Sequence, residues 1–264
     1  MKLDFACCVD IGIRETNDDR ALILGRVFDR EAGGGETDAP AVAVVCDGCG
    51  GYYGGGIAAQ TVLEVINQAL PETLADAQAL SQVLESAREA VFYRKEQSPD
   101  LEKMCTTIAG CVLDEDKTLI FHAGDSRVYR YDGFALTRMT MDHSVVQEMV
   151  NMGRITDEEA RHNPRRNVIT RCIGVDCPAP DIYVSRVPIA PGEIYLICSD
   201  GLWEYLEDSR MEDLLANCDT DLQSLACRMA DMALEQGSND NITVVLCARP
   251  GSLVIPESTP FLLD

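Results

Sequence analysis

The stretch "AVAVVCDGCGGYYGGG", residues 41–56, runs from an apolar segment straight into aspartate and glycine. Three chemistries fit it. Cys46-x-x-Cys49 has the spacing of a metal or redox thiol pair. The glycines could form a phosphate-cradling loop. Or the functional group is the single carboxylate, Asp47, presented where the apolar run ends. The apolar run itself reads as a strand.

Other short apolar runs read the same way: "TTIAGCVL", "TLIFHAG", "RVYRY", "DIYVSRV", "IYLIC" and "NITVVLCA". Helical spacing of apolar residues predicts helices over 58–70 (Ala58, Val62, Val65, Ile66, Ala69), 78–94 (Leu80, Val83, Leu84, Ala87, Val91) and 221–235 (Leu222, Leu225, Ala226, Met229, Ala233). These stripes are read as core packing. The first two helices follow one another without an intervening strand. That order argues against a doubly wound parallel sheet and for an α+β fold with an antiparallel sandwich. The polar stretch "DREAGGGETDA", residues 29–39, reads as a flexible hairpin connection. The last 15 residues contain three prolines and read as an extended tail.

Composition narrows the function classes. The 264 residues are enough for one sizeable core. With 44 acidic against 22 basic residues the formal charge is −22, which repels nucleic acid and anionic lipid. Twelve cysteines are many, but several sit in apolar runs, as Cys198 and Cys247 do, where free cysteine is a small buried hydrophobe. The N-terminal apolar stretch is interrupted by Asp4 and Asp10, unlike an export leader. No run approaches the roughly 18 apolar residues of a membrane span. A reducing cytoplasm is the simplest setting. A zinc or redox reading of Cys46 and Cys49 is weak: structural zinc takes four ligands, and the chain has no second C-x-x-C and no H-x₃₋₅-H pair.

Four aspartates share one local pattern. Asp47, Asp125 and Asp200 follow apolar strands, and Asp240 precedes one; Asp18 and Asp19 add a further acidic pair in "NDD". Each alone could cap a turn. Together at strand ends they could converge, and converging carboxylates stay ionised only around a cation. An all-oxygen set points to Mg²⁺ or Mn²⁺ over zinc.

With these residues in place, the chain resembles the bacterial branch of the metal-dependent protein phosphatases, the protein phosphatase 2C family of serine/threonine phosphatases. The segments that carry the resemblance are "DIGIRETNDDR", "VAVVCDGCGG", "CTTIAG", "HAGDSRVYRY", "LTRMTMDHS", "NVITRCIG", "YLICSDGLWEYL" and "SNDNITVVLCAR", in the family's order over residues 10–249. The resemblance implies a central antiparallel β-sandwich flanked by pairs of helices. It implies a single catalytic domain over 1–250, a flap over about 142–180, and a tail over 251–264. It also implies a site for two Mn²⁺ or Mg²⁺ ions and a third, weaker one. Asp47 would bridge two metals, the Gly48 carbonyl would bind one of them, and Asp200 and Asp240 would complete the other. Asp18 or Asp19 would act partly through water, and Asp125 would help Asp200 hold the third ion. Arg14 falls at the family's phosphate-binding arginine, one residue closer to Gly12 than in many bacterial members.

The implied reaction is attack of a metal-bridging hydroxide on phosphoserine or phosphothreonine without a covalent intermediate. Substrates would be phosphorylated proteins, and the enzyme a cytoplasmic monomer. Cys49 replaces a His or Met of the family, and Tyr52 a His of many bacterial members. The acid for the leaving oxygen is then left open between Cys49, metal-bound water and His143 at the start of the flap. His122 reads as a packing residue and His162 as a solvated one. Within the flap, Thr156 and Glu159 predict a capping box. The competing class is a non-catalytic binding module on the same fold, which would ordinarily have lost metal aspartates.

Overall fold

A computed structural model describes residues 1–49, 54–218 and 221–251. Tyr52 and residues 252–264 of the expected tail lie outside them. In chain order the strands and helices are β1 Lys2–Asp10, β2 Asp19–Ile23, β3 Arg26–Phe28, β4 Ala32–Asp38, β5 Ala41–Cys49, α1 Gly55–Gln68, α2 Pro71–Leu74, α3 Ala77–Gln97, β6 Cys105–Thr106, β7 Ile108–Leu113, β8 Thr118–Ala123, β9 Arg127–Tyr131 and β10 Leu136–Arg138. There follow α4 Val145–Asn151, α5 Asp157–Arg161, β11 Asp181–Ser185, β12 Ile194–Cys198, α6 Asp200–Trp203, α7 Asp208–Ala216, α8 Leu222–Glu235 and β13 Ile242–Ala248.

The strands form two antiparallel sheets. One runs β10-β9-β12-β13-β1-β4. The other runs β11-β8-β7-β5-β2-β3, with β6 paired to the end of β5. Side chains alternate across a strand, and the alternation divides the core into three layers. Val45, Ala43, Phe5, Cys7, Ile197 and Val245 pack between the sheets. Val44 and Cys46 turn the other way, onto α1 and α3 through Val62, Leu63, Ile66, Leu80 and Leu84. On the opposite outer face Leu196, Cys198 and Val244 pack under α7 and α8 through Met211, Leu215, Ala226 and Met229. Both faces of each sheet are thus covered, which is why the central strands are apolar throughout instead of alternating with polar residues.

The three predicted helices are present with shifted ends, as α1, α3 and α8. Asp76 and Asp221 cap the last two by accepting from the amides of Ala79 and Ser224. The capping box of Thr156 and Glu159 forms at α5. The run "TTIAGCVL" is broken at Thr107 into β6 and β7.

One expectation is corrected. Residues 29–39 are not a loop: Ala32–Asp38 form β4, an edge strand in register with β1, with Gly34 opposite Ala6. The glycines that suggested a turn are there for close approach. A Cβ on Gly34 would lie 2.6 Å from the carbonyl oxygen of Phe5, and one on Gly33 would lie 2.5 Å from the Phe28 ring. Gly34→Val is expected to lower stability by about 1–3 kcal/mol, as overpacking against backbone does, measured by urea unfolding.

Candidate metal centre

The alternation that builds the core also builds the site. In β5, Ala43 and Val45 point between the sheets, so Asp47 lies in the next layer on the same face. In β2 the partner of Asp47 across the ladder is Asp19, in phase with the inward Ala21 and Ile23. On the other sheet, Thr243 is in phase with the inward Val245, and Ser199 follows β12 in phase with the inward Ile197. The two sheets meet here through hydrogen bonds instead of methyl groups. Ser199 Oγ donates to Asp19 Oδ2 at 2.7 Å, and Thr243 Oγ1 donates to the same oxygen at 2.8 Å.

Asp47 is fixed through its backbone. Its amide donates to Thr107 Oγ1 at 3.0 Å, and its carbonyl accepts from the Thr107 amide at 2.8 Å. Thr107 Oγ1 also meets Ser126 Oγ at 2.7 Å, which links Asp47 to the "GDS" turn carrying Asp125. Trp203 Nε1 donates to the Asp125 carbonyl at 3.0 Å. Trp203 lies over the Arg127 guanidinium, 3.4 Å from the ring centre, and Arg127 pairs bidentately with buried Asp142. Asn241 fastens the remaining wall. Its Nδ2 donates to the Ile11 and Thr16 carbonyls and its Oδ1 accepts from the Asp18 amide. Asp18 Oδ1 in turn accepts from the Gly56 amide at the start of α1. Gly48 and Gly55 pass backbone to backbone. A Cβ on Gly48 would lie 2.2 Å from the Gly55 carbonyl carbon, and a Cβ on Gly55 would lie 2.5 Å from the Gly48 oxygen.

The result is a cleft of about 570 Å³ whose lining includes Arg14, Asp18, Asp47, Gly48, Asp125, Asp200 and Asp240. Asp19 lies just beneath it, buried. The sequence-predicted carboxylates therefore converge. Arg14 stands at the mouth, half exposed, with Nη2 2.9 Å from Asp240 Oδ2. Among the described residues Asp47, Asp125 and Asp200 have no such cationic partner. Burial raises all three carboxyl pKa values, and their neighbours add to it: chiefly Asp19 and Asp200 for Asp47, and Asp125 and Asp240 for Asp200. Asp125 is pushed up to about 7 by burial and then by Asp142. Asp19 is pushed up to about 6 by burial, with the Ser199 and Thr243 hydroxyls pulling the other way. A crowd of oxygen donors that resists ionising alone fits a hard divalent cation, which would supply the missing positive charge.

His143 does not line this cleft. Its Nδ1 accepts from the Gly124 amide, its Nε2 lies 3.1 Å from Asp181 Oδ2, and its ring stacks on buried His122 at 4.5 Å. His122 is the packing residue expected, with Nε2 on the Met141 carbonyl, and His162 is exposed beside Glu158. The sequence reading did not single out Ser199, Thr243, Thr107 or Asn241. All four sit inside the quoted motifs, but nothing in the linear order says that Ser199 and Thr243 face Asp19 from the other sheet.

A sequence model of the protein phosphatase 2C family matches residues 29–247. The chain belongs to the protein phosphatase 2C family. It is 31% identical over 244 residues to a serine/threonine phosphatase stp of Listeria monocytogenes, covering 90% of this chain and 92% of that one. The fold is similar to the crystal structure of the Mycobacterium tuberculosis serine/threonine phosphatase PstP/Ppp, with a TM-score of 0.80 and 30% identity over 95% of this chain and 100% of that chain. It is also similar to the catalytic domain of PstP in complex with two manganese ions, with a TM-score of 0.78 and 27% identity over the same shares of the two chains.

The raised carboxyl pKa values set a pH dependence for the metal-free chain. A carboxyl whose folded pKa exceeds its unfolded value favours the fold while protonated, and that contribution is lost as pH rises through the folded pKa. The window runs from the ordinary 3.8 to about 7, the value for Asp125. Chelator-treated protein is therefore expected to melt at progressively lower temperature as pH rises across this window, and added Mn²⁺ to reverse the loss at its upper end. Calorimetry with and without metal checks both.

Proposed function

We propose that this chain is a metal-dependent protein serine/threonine phosphatase that hydrolyses phosphoserine and phosphothreonine without a covalent phosphoenzyme. The observation that carries the reading is the convergence of Asp18, Asp47, Asp125, Asp200 and Asp240 on one cleft with Arg14 at its mouth. Family membership and the manganese-bound relative support it.

In this reading Asp47, the Gly48 carbonyl, Asp200 and Asp240 would hold two Mn²⁺ or Mg²⁺ ions. Asp18 or Asp19 would act on them partly through water. Asp125 and Asp200 would offer a weaker third position. When bound, the two cations supply an acidified water as nucleophile near neutral pH and neutralise charge on the phosphoryl oxygens. The chain does the rest. The hydroxyls of Ser199 and Thr243 hold Asp19 in one rotamer. Thr107 fixes the height of Asp47. Arg14, now on Asp240, turns its planar guanidinium to the phosphate oxygens when substrate enters. The thiols are not needed as nucleophiles. His143, engaged with Asp181 and outside the cleft lining, is set aside as proton donor to the leaving oxygen.

Residues 1–250 would act as one catalytic domain, with the segment 142–180 as its flap. That segment closes on itself through the bridge Ser144–Ile169 and returns to the sandwich through Thr106–Ile173. Its substrates would be phosphorylated proteins in the cytoplasm, met by a monomer. Among the described residues no helix is long and apolar enough to cross a membrane, and the charge of −22 disfavours nucleic acid.

The test is hydrolysis of p-nitrophenyl phosphate and of a phosphothreonine peptide with Mn²⁺. Silence on both by folded, metal-loaded protein would overturn the reading. Asp47→Asn is expected to lower kcat by roughly 10²–10³-fold or more, the loss typical of one preorganised electrostatic group. Arg14→Ala should remove about 1.5–3 kcal/mol of charge-assisted phosphate binding, a loss of roughly ten- to a hundredfold in kcat/KM, with metal content unchanged by elemental analysis.

A further inference from the structure

Cys49 ends β5 two residues beyond Asp47. Across the β5–β6 ladder its partner is Cys105, and the two sulfurs lie 2.7 Å apart. The chain returning from the flap enters here too. Thr106 and Ile173 exchange backbone hydrogen bonds of 2.9 and 2.8 Å, which brings in Cys172. The Sγ atoms of Cys49, Cys105 and Cys172 all lie within 4.8 Å of one another. All three are free thiols, two half-buried and Cys172 buried. Cys177, five residues on, stays apart with its Sγ on the Cys172 carbonyl. Cys46 faces α1 and α3 on the far side of the sheet, so the linear C-x-x-C pair is split and Cys49 has two partners distant in sequence.

We propose that Cys49, Cys105 and Cys172 form a second metal site, distinct in its donors from the carboxylate cleft that Cys49 also lines, that takes a thiophilic d¹⁰ cation of the zinc class with solvent in the fourth position. Geometry supports it: with zinc–sulfur bonds of about 2.3 Å, tetrahedral thiolates sit roughly 3.8 Å apart, inside the observed spread. Donor chemistry supports it as well, since sulfur selects soft or borderline cations and the carboxylates nearby select hard ones. The Cys49 and Cys105 thiols already meet in a hydrogen bond in which either sulfur can donate. Three converging sulfurs are one more than a disulfide uses. Loaded, the site would tie together the strand carrying Asp47, the short β6, and the base of the segment 142–180.

The experiment uses the full chain, purified with reductant, stripped by chelator and held in excess Mg²⁺ to occupy the oxygen donors. Anaerobic titration with Cd²⁺ is expected to give a thiolate-to-cadmium ultraviolet charge-transfer band saturating at one equivalent. Cys105→Ser and Cys172→Ser should each weaken binding on the order of tenfold or more, because a ligand is lost. Cys227→Ser should leave the band unchanged, and Asp47→Asn should keep it, which separates this site from the phosphatase reading. A measurement on the unsubstituted chain guards against misfolded variants: Zn²⁺ should protect Cys49, Cys105 and Cys172 from alkylation, mapped by mass spectrometry. No band, a band indifferent to Cys105→Ser, unchanged alkylation, or a Cys49–Cys105 disulfide persisting in reductant would each overturn the proposal.

Discussion

Asp19 accepting from both Ser199 and Thr243 is the contact on which the site depends. The carboxylate belongs to one sheet and the two hydroxyls to the other, so this buried cluster locks the sandwich at the end where apolar packing stops. A buried carboxylate without partners would be costly. Two hydroxyl donors make it tolerable, and they fix the distance between β2 and the β12–β13 pair. Asp47, opposite Asp19 on the ladder, inherits that spacing. Asp200, one residue past Ser199, inherits it from the other side. The remaining carboxylates are placed relative to these through Thr107, Ser126 and Asn241.

The electrostatic consequence is a fold that accepts local instability to keep donors converged. Burial raises the pKa values of Asp47, Asp125 and Asp200, and neighbouring carboxylates raise them further. A stability-driven arrangement would separate them or pair them with lysine. Here strand register holds them together, and the extensive apolar layers on both outer faces supply the surplus. Preorganisation of this kind means that the donors need little movement to receive a cation, which is what electrostatic catalysis requires.

Much of this was legible in the sequence because the relevant signals are local. Apolar runs ending in Asp-Gly, helical stripes over α1, α3 and α8, and the capping box at α5 each carry their mechanism within a few residues. What escaped is non-local. The glycines of β4 look like a turn until Phe5 and Phe28 are seen pressing on them. β1, with its mixed pattern, gains its strand character from β13 and β4 on either side. Ser199 and Thr243 are ordinary polar residues until the two sheets close. The split of Cys46 from Cys49 could be anticipated from their failure to form a complete zinc motif. Their actual surroundings, a helix-facing core for one and two distant thiols for the other, depend on the register of β5 with β6 and on the return of the chain at Cys172 and Ile173.

The crossing of Gly48 and Gly55 has a consequence for how this protein can change. Each occupies the space that a side chain on the other would need, at one end against the strand that bears Asp47 and at the other against the first turn of α1. A methyl group cannot be accepted at either position while the other backbone stays where it is. The two positions are therefore inherited as a unit. Drift at one is blocked irrespective of what happens at the other, and the only route past the block is a shift of the whole helix away from the strand. That shift would carry the Gly56 amide off Asp18, so the freedom to vary here is limited by the wall of the cleft itself.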